Sequence, residues 1–115
     1  MSPLAGAIYD ILRVRPRRGE PRITYKQLAT ELRDRFSAFE YVHHRNQQLY
    51  AALDEVGIEC RRLKLPPLPA LVVRADTMRP GDAYYNGMRS PYRGERIDAW
   101  RRDLEAVKGA VYPRR

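Results

Sequence analysis

The chain has 115 residues, which is one domain on ordinary size grounds, and its 43% hydrophobic and 31% charged residues are enough for a small folded core. No run approaches the eighteen apolar residues of a membrane span, the first ten residues lack a basic segment and a long apolar stretch, and the single cysteine excludes an intrachain disulfide framework and a cysteine-based zinc site. No membrane association and no secretory signal are therefore expected, and the expected compartment is a reducing cytoplasm.

Twenty-two Lys+Arg face fourteen Asp+Glu, a net charge of +8, and all but Lys26, Lys64 and Lys108 of the cations are Arg. Arg is the better side chain for bidentate contact with phosphates and base edges, although a bias toward Arg codons gives the same composition. The charge is uneven. Residues 13–35 and 61–96 each hold eight cations and three acids, whereas residues 36–60 hold Arg45 against four acids. Two basic stretches that converge in the fold would make a nucleic-acid face; apart, they are ordinary solvated surface.

Ser2 and Pro3 suit an N-cap and a first helical turn, and Leu4, Ile8, Ile11 and Leu12 recur at helical spacing, so residues 3–13 are expected to be a helix. Residues 14–21, with Pro16, Gly19 and Pro21 among arginines, are a basic loop. Residues 22–24 make a short strand. Thr24 and Gln27 form a capping box that opens a helix over residues 25–35, with Leu28, Ala29 and Leu32 on its apolar stripe. Ser37 and Glu40 read as a second capping box.

A third helix is then expected over residues 38–63. Phe39, Val42, Asn46, Leu49, Leu53, Val56, Cys60 and Leu63 follow steps of three and four, and only Asn46 is polar. This helix should run unbroken through Gly57, which falls off the stripe, with Leu53, Val56 and Cys60 buried. Pro66 and Pro67 stop it. Leu71, Val72 and Val73 are expected as one strand and Ala83, Tyr84 and Tyr85 as its antiparallel return, a β-hairpin around Thr77, Pro80 and Gly81. Residues 86–94 look irregular. Ile97, Trp100, Leu104, Val107 and Val111 mark a last helix over about residues 95–108.

The predicted fold is mainly α with a small β-hairpin. Residues 1–86 form a winged helix-turn-helix, and residues 87–115 add an extension with one helix packed on the same domain. In a winged helix the third helix reads the groove and the hairpin is the wing.

The segment Ile23-Thr24-Tyr25-Lys26-Gln27-Leu28-Ala29 resembles the start of the DNA-binding helical region of alkylguanine-DNA alkyltransferases and their alkyltransferase-like relatives. PPLPALVV (residues 66–73), followed by Pro80-Gly81, resembles the strand and wing that close that region. The same stretch is similar to a winged-helix module beside bacterial HNH endonucleases. The resemblance covers roughly residues 20–85 and implies a DNA-binding scaffold of bacterial or phage type. It departs from the alkyltransferases at the acceptor motif Pro-Cys-His-Arg, where this chain has Leu68-Pro69-Ala70-Leu71. The Tyr41-Val42-His43-His44-Arg45-Asn46-Gln47-Gln48 stretch is also bulkier and more polar than the family's small-residue pattern, and no HNH motif is present.

Cys60 sits on the apolar stripe and is read as a core residue rather than a nucleophile. His43 and His44 are adjacent, so on a helix they diverge by about 100° and do not chelate one ion. No metal or other cofactor is expected. The pairs Asp54-Glu55 and Asp98-Asp103 are read as solvated helix surface. Tyr41, His44, Arg45 and Gln48 are expected to share one face near the start of the third helix and to meet base edges. Arg74 and Arg79 would lie on the wing, and Arg17, Arg18 and Lys26 would touch the DNA backbone near the second helix.

The expected function is a non-enzymatic, winged-helix binder of duplex DNA. The alternative is a protein-interaction module on the same scaffold, such as a phage or mobile-element inhibitor of a host defence complex. Such a module would use its Arg-rich face on an acidic protein partner or on the nucleic acid of a nucleoprotein complex, and the aromatic-rich tail, with Tyr84, Tyr85, Tyr92, Trp100 and Tyr112, is compatible with an interface. A third reading is a lesion sensor of alkyltransferase-like type without the acceptor cysteine.

Overall fold

The computed structural model describes residues 1–85 and 96–115. Four α-helices and a two-stranded sheet make up its main elements: α1 (Pro3–Leu12), β1 (Ile23–Thr24), α2 (Tyr25–Arg35), α3 (Gln47–Arg62), β2 (Val72–Val73) and α4 (Arg96–Lys108). Short 3-10 turns at Ser37–Phe39, Leu68–Leu71 and Asp82–Tyr85 join them. Among the described residues no helix is long and apolar enough to cross a membrane.

Local chemistry sets the first two helices. The Ser2 hydroxyl accepts the Ala5 N–H, and Pro3 occupies the first turn where no intrahelical donor is required. Leu4, Ile8, Ile11 and Leu12 are buried as their spacing demands, and so are Ala5, Gly6, Ala7 and Tyr9. α1 is thus enclosed nearly all round, and its main contact is with α3. In α2 the expected capping box is complete. The Gln27 N–H reaches Thr24 Oγ1 at 3.0 Å, and the Thr24 N–H reaches Gln27 Oε1 at 2.9 Å. Leu28, Ala29 and Leu32 face the core.

α3 is shorter than expected. It is continuous through Gly57 and buries Leu53, Val56 and Cys60, but it starts at Gln47, not near residue 38. The Ser37–Glu40 box does not form, and the 3-10 turn there has no side-chain cap. Phe39 and Val42 are buried all the same. They get there through successive turns, in which the Phe39 N–H bonds Phe36 O, the Val42 N–H bonds Phe39 O and the Asn46 N–H bonds His43 O. Turns of this kind advance by three residues and so imitate a helical stripe. Asn46, the one polar member of the stripe, is the N-cap and accepts the Gln48 N–H at 2.7 Å. Gly57 is itself buried, not off the packed face.

α3 ends in a Schellman motif. The Leu65 N–H bonds Cys60 O and the Lys64 N–H bonds Arg61 O, with Lys64 at a φ of 59°.

The expected hairpin is absent. β2 pairs with β1 in parallel, Ile23 against Val72 and Thr24 against Val73. After β2 the chain closes a tight loop. The Met78 N–H bonds Arg74 O, the Arg74 N–H bonds Arg79 O, and Met78 takes a φ of 55°. Residues 82–85 coil into a 3-10 turn that sends Tyr84 into the core, where its hydroxyl donates to Asp103. Asp103 is 1% exposed, so it is not the solvated helix position that its sequence suggests.

Over the described residues α4 agrees with its expected span. Trp100 is buried and donates its indole N–H to Ala70 O at 2.9 Å, which ties α4 to the Leu68–Leu71 turn. Val111 lies past the helix end and is 67% exposed, against its expected place on the stripe. The tail crosses α1. The Tyr112 hydroxyl donates to Pro66 O, the Tyr9 hydroxyl to Pro113 O, and Arg115 forms a two-pronged pair with Asp10. The irregular segment expected over residues 86–94, its Tyr92 and the domain boundary after residue 86 lie outside the described residues.

Candidate nucleic-acid interface

A cleft of about 490 Å³ opens where three stretches of chain meet: the first turn of α2, the loop before α3, and the loop that follows β2. Thr24, Tyr25 and Lys26 come from the first, His44 and Arg45 from the second, and Arg74, Ala75 and Asp76 from the third. Tyr50, in the first turn of α3, completes one wall, and Gly81 the lip across from it.

The walls hold each other. The capping box fixes the start of α2 and so the position of Tyr25 and Lys26. The rings of Tyr25 and Tyr50 meet edge to face at 5.7 Å. The Tyr50 hydroxyl donates to His44 O at 3.0 Å, which pins the loop carrying His44 and Arg45 to α3. The Gly81 N–H donates to the Tyr25 hydroxyl at 3.4 Å. On the far lip Arg74 grips Asp76 through two hydrogen bonds of 3.1 and 2.8 Å, and the guanidinium holds the Asp76 carboxyl below its ordinary range.

Asp82 also lines the cleft, and its exposed carboxylate pairs with Arg96 at 2.8 Å. Lys26 and Arg45 are exposed and form no ion pair among the described residues, whereas Arg74 is neutralised by Asp76. The cleft therefore offers two uncompensated cations from two separate elements, set beside two aromatic rings.

Four of the expected contact residues, Lys26, His44, Arg45 and Arg74, are brought together here. The other five are not. Tyr41 and Gln48 line a separate hollow with Phe39, Pro3 and Ala51, between α3 and the start of α1. The expected single helical face fails because Tyr41, His44 and Arg45 all precede α3. Arg79 is exposed at the base of its loop and does not line the cleft. Arg17 and Arg18 are exposed on the loop between α1 and β1.

Cys60 is fully buried, and burial pushes its thiol up to about 11. A thiol held protonated in this way is a packing residue, not a nucleophile. No group of three His, Cys, Asp or Glu gathers among the described residues in a way that would hold a metal ion. Ala70 is fully buried, and its carbonyl accepts the Trp100 indole N–H.

One residue that the sequence reading passed over is central to this side of the molecule. Arg15 belongs to the basic loop by sequence, yet it is only 8% exposed. Its guanidinium donates to Pro21 O and Arg22 O, both at 2.9 Å, and more weakly to Glu20 O. Its acceptors are backbone carbonyls, which leave no signature in sequence.

No family model, no curated protein and no solved structure matches the chain.

Proposed function

We propose that the chain is a non-enzymatic, winged-helix-like binder of duplex DNA that seats a phosphate backbone in the cleft between α2, the loop before α3 and the loop after β2. The observation that carries this reading is the meeting of Lys26 and Arg45, from separate elements and without an ion pair among the described residues, on a cleft walled by Tyr25 and Tyr50. Unpaired cations fixed on a rigid frame release condensed counterions when they meet DNA, and that release is the main sequence-independent source of affinity. The resemblance of residues 23–29 to the DNA-binding region of alkyltransferases points the same way.

The approach to DNA is end-on. Past its first turn α3 carries Asp54 and Glu55 at partly exposed positions, with Glu59 paired to Arg62, and the carboxylates of this middle stretch oppose laying the helix along a groove. The start of α3 and the His44-Arg45 loop are the parts that reach base edges. Arg45 is the side chain suited to guanine.

The test is a titration of duplex DNA at several salt concentrations with the parent protein, Lys26→Ala and Arg45→Ala. Each substitution should lower the slope of log affinity against log salt by about one unit. Arg45→Ala should also flatten any sequence preference, at about 1–3 kcal/mol on a preferred site. Parent-like binding by both variants would refute the cleft as the contact.

A protein partner is the second reading, and one observation favours it. Tyr41 is 49% exposed on the hollow beside α1, apart from the basic cleft. Of the aromatic residues first expected to serve this role, Tyr84, Trp100 and Tyr112 are buried in the core, Tyr85 is half-buried, and Tyr92 lies outside the described residues. A folded protein that fails to bind DNA at low salt would move the function to this hollow.

A further inference from the structure

We propose that Arg15 is a positioning residue for nucleic-acid binding, one that holds the loop over residues 16–22 so that Arg17 and Arg18 form a second phosphate contact, built before binding and adjoining the cleft; this rests on the DNA-binding reading above. Arg15 grips the loop at both ends. Its carbonyl accepts the Arg18 N–H at 2.9 Å, and its buried guanidinium takes the carbonyls of Glu20, Pro21 and Arg22. Arg17 and Arg18 lie between those two anchors, exposed and without an ion pair among the described residues.

A buried guanidinium needs compensation for its lost water. Here backbone carbonyls supply most of it, with the Glu31 carboxylate at 4.0 Å. A surface loop of mixed polar residues has no need of such an anchor for solubility. What the anchor achieves is a fixed direction for the loop.

Two further contacts bring this loop to the cleft. Lys26 lines both the cleft and a neighbouring hollow that contains Arg15 and Glu31. Arg22, held by Glu20, extends Nη1 toward Met78 O at 3.5 Å, so the base of the basic loop leans on the loop that follows β2. The hollow that holds the Arg15 anchor and the cleft thus share Lys26. A contact ordered in advance spares the entropy of ordering two arginines on binding.

Arg15→Lys tests this, because it keeps the charge while a lysine cannot donate to spread carbonyls as a planar guanidinium does. Duplex DNA is titrated across a salt series with the parent, Arg15→Lys, the Arg17→Ala/Arg18→Ala pair, and all three changes together. The pair should lower the salt slope by about two units. Arg15→Lys should lower it by a similar amount, and the triple variant no further than either. A parent-like slope for folded Arg15→Lys overturns the proposal, as does a triple variant in which the losses add. If Arg15→Lys does not fold, two glycines inserted after Gly19 take its place. They leave every charge and Arg15 itself intact, and a several-fold loss of affinity with an unchanged melting temperature is expected. Parent-like affinity for that insertion overturns the proposal. A parent that binds no DNA overturns the DNA-binding reading and this one with it, whereas a parent that binds beside an indifferent Arg15→Lys overturns this one alone.

Discussion

Lys64 holds a left-handed conformation at the end of α3, where a side chain with a Cβ is strained by about 1–2 kcal/mol. Glycine at this position removes the strain but adds freedom to the unfolded chain. Lys64→Gly is expected to raise stability by about 0.5–1 kcal/mol in a urea titration, with no change in the slope. Cys60 gives a pH dependence with a definite sign. Its thiol ionises at about 11 when folded, against an ordinary value of 9.0. The stability owed to the neutral thiol is whole below about pH 9 and is lost as the pH climbs from there through about 11, because the unfolded chain sheds its proton first. Cys60→Ala should flatten this alkaline decline and lower stability near neutrality by about 1 kcal/mol, the size of one small buried group. Cys60, Arg15 and Asp103 together show what sequence conveys and what it does not. Cys60 stood on an apolar stripe and its burial was legible. Arg15 and Asp103 were not, because Arg15 bonds to carbonyls that every sequence carries, and Asp103 meets a tyrosine nineteen positions away.

At the level of elements, α1, α2 and α4 were legible because each begins or packs through neighbours in sequence. The start of α3 was not, since consecutive three-residue turns bury Phe39 and Val42 with the spacing of a helix. The two candidate caps separate the readings in solution. Asn46→Ala should cost about 1 kcal/mol through loss of the cap, whereas Ser37→Ala should stay within about 0.5 kcal/mol. Equal losses in thermal unfolding would restore the longer helix. The hairpin was misread for a related reason. Two residues suffice for each strand, and nothing in a run of Leu, Val and Val tells which partner completes the pair. Of the candidate site, Lys26, His44 and Arg45 stand out in the sequence as basic or polar residues near helix starts, and Arg74 as a cation just after a β-prone run. Tyr41 and Gln48 were grouped with them only through the misplaced start of α3.

At the level of the molecule, α4 and the tail are fastened to the rest by buried polar contacts as well as by apolar packing. Trp100 is the single tryptophan, so its fluorescence reports on that union. Trp100→Phe keeps most of the apolar area but leaves Ala70 O without its donor, and should cost about 1–3 kcal/mol. In the parent, the tryptophan signal and the far-ultraviolet circular dichroism should change together on heating; a separate early transition by fluorescence would make α4 an independent unit.

The parallel pairing of Ile23 with Val72 has a kinetic consequence. Strands this far apart in sequence cannot meet until the chain between them has been drawn into a closed loop, and that closure is unfavourable until packing repays it. The helices between them can grow on local contacts alone. The little sheet should therefore be among the last features to form, with the rate-limiting ensemble containing α2 and α3 and the strands still apart. Val72→Ala should then speed unfolding and leave the refolding rate nearly unchanged, while Leu53→Ala should slow refolding. A refolding rate that falls with Val72→Ala in proportion to the lost stability would place the sheet in the nucleus instead.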